Sequence, residues 1–209
     1  TEQELNQPVE PPPGEELPPD DGLAPIGSDQ PYFFPAWNSS SGVTQTMYER
    51  VKRYYDQNFK NFDNKQYVVI IDLGKKSNTK RFTLFNLKTG TFERFLTAHG
   101  KGSDPNNDGW LDSFSNVSGS NASSVGYYKT LGTYYGSNGR SLRLDGLEST
   151  NDNALSRAIV MHGANYVREE DSYAGRSFGC PALDHAVAQR VIDLVKGGAL
   201  LVIGTSRAL

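Results

Sequence analysis

The stretch GRSFGCP, residues 175–181, contains the only cysteine of this 209-residue chain. A lone cysteine forms no intramolecular disulfide and no cysteine-based zinc cage, so Cys180 is either a small buried hydrophobe or a reactive thiol. Gly179 lets a substrate carbonyl approach the backbone closely, and Arg176 can favour the nucleophilic thiolate. The N–H groups of Gly179 and Cys180 can form an oxyanion hole, because Pro181 has no N–H to donate. The stretch therefore predicts a catalytic cysteine.

A cysteine nucleophile needs a general base, and the chain has three histidines. His162 follows a predicted buried strand at residues 157–161 and precedes Gly163, and a strand end that faces loops suits a catalytic group. His99 also ends a predicted strand and is the rival base, with pocket-lining and structural roles both open. His185 lies near the start of a predicted helix and is expected to be an uninvolved surface residue. The sequence thus favours His162 as the base.

Short apolar strands between long polar loops predict a mostly β domain, a sandwich or partly open barrel, with two helices. The first helix covers residues 47–62 with Thr46 and Glu49 as a capping box. The second covers residues 184–196, from an aspartate cap to a glycine stop. Predicted strands cover residues 67–73, 81–87, 91–98, 125–130, 141–144, 157–161 and 199–203, with a hairpin turn at 88–90 and long loops at 100–124.

Charge and proline are unevenly distributed along the chain. Residues 1–30 hold eight acidic residues and no lysine or arginine, and nine of the eleven prolines precede residue 36. Such a segment buries too little apolar surface to fold, so residues 1–30 are predicted to be an acidic linker, a solvated tail or a tether to an envelope anchor. Residues 31–209 carry 21 basic and 16 acidic side chains and are expected to form one folded domain.

Composition excludes several classes of protein. A formal charge of −3 excludes a globally basic nucleic-acid binder. No apolar run approaches the ~20 residues of a membrane span, and any signal peptide is expected to have been removed, as in a periplasmic or secreted protein. No cofactor is predicted, and a monomer is expected.

The segment DPNNDG, residues 104–109, matches the first half of a calcium-binding loop. Its candidate ligands are Asp104, Asn106 and Asp108. The twelfth position is Ser115 instead of the chelating glutamate, and no helix pair frames the loop. A turn rich in Asx residues is therefore the default interpretation.

Together these motifs resemble a known family. His162 and Gly163, followed by SFGC at residues 177–180, resemble the H-G…S-x-G-C motif of L,D-transpeptidase catalytic domains, which have the YkuD-like fold. Upstream, SSVGYY at residues 123–128 is similar to the T-P-x-G-x-F segment of that family, and GRSFGCPA at residues 175–182 is similar to a subgroup signature. Each motif is short, but their order, spacing and strand context are together fairly specific.

The resemblance covers residues 45–205 and implies that the substrates are peptidoglycan stem peptides. Cys180 would attack the carbonyl at the L-centre of the diamino acid at stem position three, releasing the terminal D-alanine and forming a thioester. An amine of a second stem would then give a 3-3 cross-link, whereas water would give L,D-carboxypeptidase activity. His162 would carry the proton, oriented by a backbone carbonyl instead of an aspartate.

Substrate contacts are also suggested by the resemblance. Many family members have an arginine two residues after the cysteine, where this chain has Ala182, so Arg176 is expected to supply that charge. Ser177 can hydrogen-bond within its turn or hold substrate. The candidate substrate contacts are Arg176, Ser177, Ser124, Tyr127, His99 and Gly163.

Two further interpretations belong to other classes. The chain could be a non-catalytic wall-binding module that keeps the fold, and the net positive charge of residues 31–209 suits an anionic wall polymer. It could also be a cysteine peptidase acting on proteins, which is disfavoured because no papain-type or caspase-type motif is present.

Overall fold

The computed structural model describes residues 32–206, so the predicted linker at residues 1–30 lies outside the described residues. The described chain has two α-helices, α1 (Gln45–Asn58) and α2 (His185–Val195), and short 3-10 turns at Ser39–Ser41, Phe59–Asn61 and Lys101–Ser103. Its strands are β1 (Tyr67–Asp72), β2 (Phe82–Asn86), β3 (Thr91–Phe95), β4 (His99–Gly100), β5 (Gly126–Gly136), β6 (Gly139–Gly146), β7 (Val160–Gly163), β8 (Val167–Arg168), β9 (Tyr173–Ala174), β10 (Arg176–Ser177), β11 (Ala182–Leu183) and β12 (Leu200–Gly204).

Eight of these strands form one mixed sheet in the order β11-β7-β6-β5-β12-β1-β2-β3. Its two edges meet, because the N–H of Ala98, just after β3, donates to the carbonyl of Ala182 in β11 at 3.0 Å. The sheet is therefore a nearly closed barrel. The predicted fold class, mostly β with two helices, is confirmed.

The sheet separates two hydrophobic clusters, each covered by one helix. Side chains alternate along a strand, so Val69 and Ile71 of β1 pack towards α2 while Val68 and Ile70 pack towards α1. Burial on both faces explains why residues 68–71 form a continuous apolar run instead of an alternating pattern.

Both helices begin at a side-chain cap. The Thr44 hydroxyl accepts from the N–H of Met47 at 3.4 Å, so the predicted capping box at Thr46 and Glu49 is wrong. The predicted aspartate cap of α2 is confirmed, because Asp184 accepts from the N–H of Ala186 at 2.8 Å. In the described part of the chain, no helix has the length and hydropathy of a membrane span.

The strands differ from prediction around the site. β5 and β6 form a hairpin that extends well beyond residues 125–130 and 141–144. β7 begins only at Val160, because Ala158 has a φ of +54°, a left-handed conformation that cannot continue an extended strand. The two-residue strands β8 to β11 are absent from the predicted elements.

Candidate functional site

Strand β7 presents His162 on the face of the sheet that points away from α2. Met161 is fully buried in the cluster under α2. Because successive side chains point to opposite faces, Val160 and His162 lie together on the other face. Both are buried.

Strands β5 and β6 add two residues to this face. Arg143 of β6 is the register partner of Val160, and Tyr134 of β5 is the partner of Ser141, two residues before Arg143. Directly paired residues point to the same face. We call the surface formed by Tyr134, Arg143, Val160 and His162 the site face.

Cys180 reaches the site face from the turn before β11. β11 runs parallel to β7 with Ala182 opposite His162, so Cys180 is level with Val160. The N–H of Val160 donates to the Cys180 sulfur at 3.4 Å, and the sulfur donates to the carbonyl of Ala158 at 3.7 Å. Cys180 and Val160 thus belong to one small cluster on the site face, and His162 follows Val160 by one strand repeat on that face.

The His162 ring is oriented by the backbone. Its Nδ1 lies 2.9 Å from the carbonyl oxygen of Gly163. A carbonyl only accepts, so Nδ1 carries the proton and the lone pair is on Nε2. Burial lowers the pKa of His162, the hydrogen bond to Gly163 opposes this, and the charge of His185 lowers the pKa further. His162 is thus a neutral imidazole near pH 7, able to accept a proton at Nε2.

Gly163 and His185 are in close contact behind this ring. A Cβ at Gly163 would lie 2.5 Å from Nδ1 of His185, so a side chain there would push α2 away from β7. Gly163, a predicted substrate contact, instead makes room for the first residue of α2. His185 is exposed as predicted, yet its charge acts on His162.

The turn before Cys180 is fixed by two serines. The Ser177 hydroxyl donates to the Cys180 carbonyl at 2.7 Å and accepts from the Gly179 N–H at 3.0 Å. The Ser123 hydroxyl donates to the Gly179 carbonyl at 3.1 Å. Gly179 has a φ of +130°, which favours glycine. Ser177 therefore acts within the turn, and it occupies the Gly179 N–H that we predicted as an oxyanion-hole donor.

Two phenols, the buried Tyr134 and the half-buried Tyr166, lie within electrostatic range of the thiol. Burial, and secondarily the charge of Cys180, raise the pKa of Tyr134 to about 12. The same two causes raise the pKa of Tyr166. Tyr134, Val160 and Cys180 form one small hydrophobic cluster. Both phenols thus stay protonated near pH 7 and can act as hydrogen-bond donors beside the sulfur.

His99 is fully buried between Arg81 and Asp104. Its Nδ1 lies 2.7 Å from the Arg81 guanidinium and its Nε2 lies 3.1 Å from the Asp104 carboxylate. Arginine only donates, so Nδ1 accepts and Nε2 donates to Asp104. Burial, and next the charge of Arg81, lower the pKa of His99 to about 4. With both ring nitrogens engaged, His99 is a structural residue, and its predicted roles as rival base and substrate contact are corrected.

Arg176 belongs to this buried cluster. It pairs with His99 between β10 and β4, and its guanidinium donates to the backbone carbonyl of Asp104. The Arg176 guanidinium is therefore engaged by the backbone of the Asp104 loop. The prediction that it supports the Cys180 thiolate or the substrate is corrected.

The Asp104 loop is closed by its own hydrogen bonds. The Asp104 carboxylate accepts from the N–H groups of Asp108 and Gly109, each at 3.1 Å. The Asn106 amide donates to Asp108 at 3.3 Å, and Asp108 accepts from the Trp110 N–H at 2.9 Å. Within residues 32–206, no group of three or more His, Cys, Asp or Glu side chains could hold a metal ion. The segment is an Asx-rich turn.

Ser124 and Tyr127 both have partners within the protein. The Ser124 hydroxyl is buried and bonds the Tyr128 hydroxyl at 2.7 Å. The Tyr127 ring stacks on Tyr54, with 3.6 Å between ring centroids. Tyr127 lines a cleft of about 820 Å³ between α1 and β5, whose walls include neither Cys180 nor His162. Tyr127, a predicted substrate contact, therefore lies in a separate cleft. The hydroxyl of Ser124, the other predicted contact, is occupied by Tyr128, whose pKa is raised by burial and, to a lesser extent, by the charge of Cys180.

Three residues near the thiol were missed by sequence reasoning: Ser123, Tyr134 and Arg143. The sequence does contain a feature that indicates Ser123, because this residue holds the threonine position of the T-P-x-G-x-F segment. A weaker feature indicates Arg143, because the alternation of residues 141–144 places it on the other face of the strand from the two leucines. Tyr134 lies in the extension of β5 that was not predicted.

Comparison with known proteins gives one family. A family model described as the L,D-transpeptidase catalytic domain matches residues 39–203. No curated protein sequence matches the chain.

Several solved structures are similar to this chain. An L,D-transpeptidase from Mycobacterium smegmatis is 14% identical, with a TM-score of 0.43, over 67% of this chain and 59% of that one. One from Mycobacterium tuberculosis H37Rv is 16% identical, with a TM-score of 0.44, over 66% of this chain and 57% of that one. The matched part of this chain thus spans less than two thirds of the length of either structure.

Proposed function

The chain belongs to the L,D-transpeptidase catalytic domain family, and on that premise we propose that it is a cysteine acyltransferase acting on tetrapeptide stems of peptidoglycan. The observation that carries the proposal is the register of β7 and β11. It places the Cys180 sulfur beside Val160 and the His162 ring one strand repeat further along the same face.

In the first half-reaction, Nε2 of His162 takes the thiol proton and the Cys180 sulfur attacks the carbonyl carbon at the L-centre of the diamino acid. The carbonyl π electrons move to oxygen as the C–S bond forms. When the tetrahedral intermediate collapses, the C–N bond breaks and the nitrogen of D-alanine takes the proton from His162. D-Alanine leaves and a thioester remains on Cys180.

In the second half-reaction, an amine of another stem attacks the thioester and forms a new amide. His162 takes the proton of the attacking amine and returns it to the sulfur as the C–S bond breaks. The product is a 3-3 cross-link. If water attacks instead, the product is a free tripeptide, which is L,D-carboxypeptidase activity.

One contact supports the sulfur in these steps and one supports the imidazole. The Val160 N–H points at the sulfur and stabilises negative charge there. The Gly163 carbonyl holds the imidazole in the tautomer that can accept a proton at Nε2. Once the ring has taken the proton and is cationic, the hydrogen bond from Nδ1–H to this carbonyl becomes stronger.

The proposed function includes a location outside the cytoplasmic membrane and a monomeric state. Because peptidoglycan lies outside the cytoplasmic membrane, we place the protein in the periplasm or among secreted proteins, acting as a monomer. The net positive charge of residues 31–209 favours association with an anionic wall polymer.

The test is incubation of the purified protein with disaccharide-tetrapeptide muropeptides, followed by D-alanine assay and mass spectrometry. Dimers indicate transpeptidation, and monomeric tripeptides indicate carboxypeptidase action. Cys180→Ala is expected to abolish D-alanine release while the unfolding temperature stays close to that of the wild type. Release that persists in Cys180→Ala would refute the proposal. Peptidoglycan binding without any release would indicate the wall-binding module.

A further inference from the structure

We propose that Arg143 forms a carboxylate-binding subsite beside Cys180, which receives the free carboxylate of the leaving D-alanine. The inference rests on the proposed function for the identity of the ligand. The anion-binding subsite itself rests on the geometry of the site face.

The position of Arg143 is fixed by strand pairing. It is the register partner of Val160 between β6 and β7, and the Val160 N–H lies 3.4 Å from the Cys180 sulfur. Paired residues of antiparallel strands have Cα atoms about 5 Å apart. One strand spacing therefore separates the backbone of Arg143 from the residue that contacts the sulfur.

The guanidinium lies over an aromatic ring. Its central carbon lies 4.2 Å from the centroid of the Tyr134 ring, and that residue is 7% exposed and belongs to the same small cluster as Cys180. A stacked guanidinium keeps its N–H edge available for a carboxylate, which it binds in a bidentate manner. The Arg143 guanidinium also reaches the carbonyl of Thr133, at the long distance of 3.5 Å.

The charge of Arg143 is not neutralised by the protein. Among residues 32–206, no carboxylate forms an ion pair with it. Other arginines do have acidic partners, with nitrogen–oxygen distances of 2.6–2.7 Å for Arg140, Arg168 and Arg190. A half-buried cation without an acidic partner is suited to an anionic ligand.

A second donor lies on the same face. The Tyr134 hydroxyl is buried, and its neighbour across the ladder is the Ser141 hydroxyl, which lowers its pKa through a hydrogen bond and itself donates to the carbonyl of Gly139. A ligand oxygen at this place would add an acceptor for the phenol.

Substrate chemistry supplies an anion at the required place. In a tetrapeptide stem, the scissile nitrogen belongs to D-alanine, whose free carboxylate is attached to the adjacent carbon. In a pentapeptide the same position is an uncharged amide. A cation beside the sulfur therefore selects stems that end at position four. The diamino acid carries a second carboxylate at its D-centre, which is the other possible source of the anion.

The first experiment measures alkylation of Cys180 and needs no peptidoglycan. Iodoacetate and iodoacetamide attack the same sulfur, but only iodoacetate carries a carboxylate. Arg143→Gln is expected to slow iodoacetate about tenfold and iodoacetamide less than about twofold, because only the anion loses its partner. Arg143→Lys should be intermediate, and Arg53→Gln, which alters an exposed arginine of α1, should match the wild type. Equal slowing by both reagents would overturn the subsite.

The second experiment identifies the source of the carboxylate. We compare kcat/KM for release of the position-four residue from three stems: the tetrapeptide, which releases D-alanine, the stem amidated at D-alanine, which releases D-alaninamide, and the stem amidated at the D-centre. Arg143→Gln is expected to lower kcat/KM about 100-fold for stems with a free D-alanine carboxylate and hardly at all for the D-alanine amide. If only amidation at the D-centre removes the effect, the assignment to D-alanine is wrong. If no stem releases D-alanine with the wild type, the proposed function fails, while the alkylation ratio still decides the anion subsite.

Discussion

The backbone N–H of Val160 donates to the sulfur of Cys180 at 3.4 Å. The bond follows from the parallel pairing of β11 with β7, in which Ala182 lies opposite His162. Since Val160 and His162 are two residues apart, one register places the sulfur and the imidazole on the same face. The proposed nucleophile and base are therefore positioned by strand pairing, although β11 has only two residues.

His162→Gln is expected to lower the rate of D-alanine release by about 100-fold to 10,000-fold, because the proton acceptor is lost. Glutamine has a similar size and keeps an amide near the Gly163 carbonyl, so the fold should persist. Circular dichroism and the unfolding temperature serve as the control. A variant that is folded and retains full activity would assign the base to another residue.

The pH profile should report the environment of His162. Burial lowers the pKa of His162, and a base must be neutral to accept a proton, so the acid limb of kcat/KM should lie below the ordinary histidine value of about 6.5. The positive charge of His185 contributes to this lowering. His185→Gln should therefore move the acid limb to higher pH.

The control for this shift is His185→Lys, which keeps a positive charge at the start of α2. Its acid limb should stay close to that of the wild type. The assignment of His162 as the base is contradicted if His185→Gln moves the acid limb to lower pH.

Much of the fold could be predicted because β1 and β12 are runs of branched apolar residues with few alternative structures. The pairs β8–β9 and β10–β4 could not, because two-residue strands have no hydrophobic period. Their position depends on tertiary contacts instead.

The site was only partly predictable for a similar reason. Cys180 and His162 stand in motifs that can be read along the chain. Arg176 is close to Cys180 in sequence, yet pairing of β10 with β4 turns it to the carbonyl of Asp104. Arg143 is distant in sequence, yet pairing of β6 with β7 brings it beside the sulfur's neighbour Val160. Which arginine lies near the thiol is thus decided by strand order.

His99→Ala is expected to lower the free energy of unfolding by about 3 kcal/mol near pH 7.5, because the buried Arg81 and Asp104 lose their shared partner. Urea denaturation measures this loss. The rate of Cys180 alkylation in the folded fraction should be unchanged. A stable variant with slowed alkylation would restore His99 as a residue of the site.

Stability should also fall with acid through His99. The unfolded histidine titrates near pH 6.5, whereas the folded one has a pKa of about 4. Between these values the unfolded chain binds more protons, so the free energy of unfolding decreases as the pH falls from 6.5 to about 4. The pH dependence should be shallower in His99→Ala, and the remainder comes from His162, whose pKa is also lowered, and towards pH 4 from Glu93 and Asp193. An unchanged slope would contradict the buried, neutral state of His99.

Ser177→Ala removes the hydroxyl that bridges the Cys180 carbonyl and the Gly179 N–H. We expect the free energy of unfolding to fall by about 1–2 kcal/mol and alkylation of Cys180 to slow, because the turn that holds the sulfur is loosened. Ser118→Ala, at an exposed loop position, is the matched control and should change neither quantity. If Ser177→Ala keeps wild-type stability and alkylation but raises KM for the tetrapeptide stem, the hydroxyl holds substrate instead of the turn.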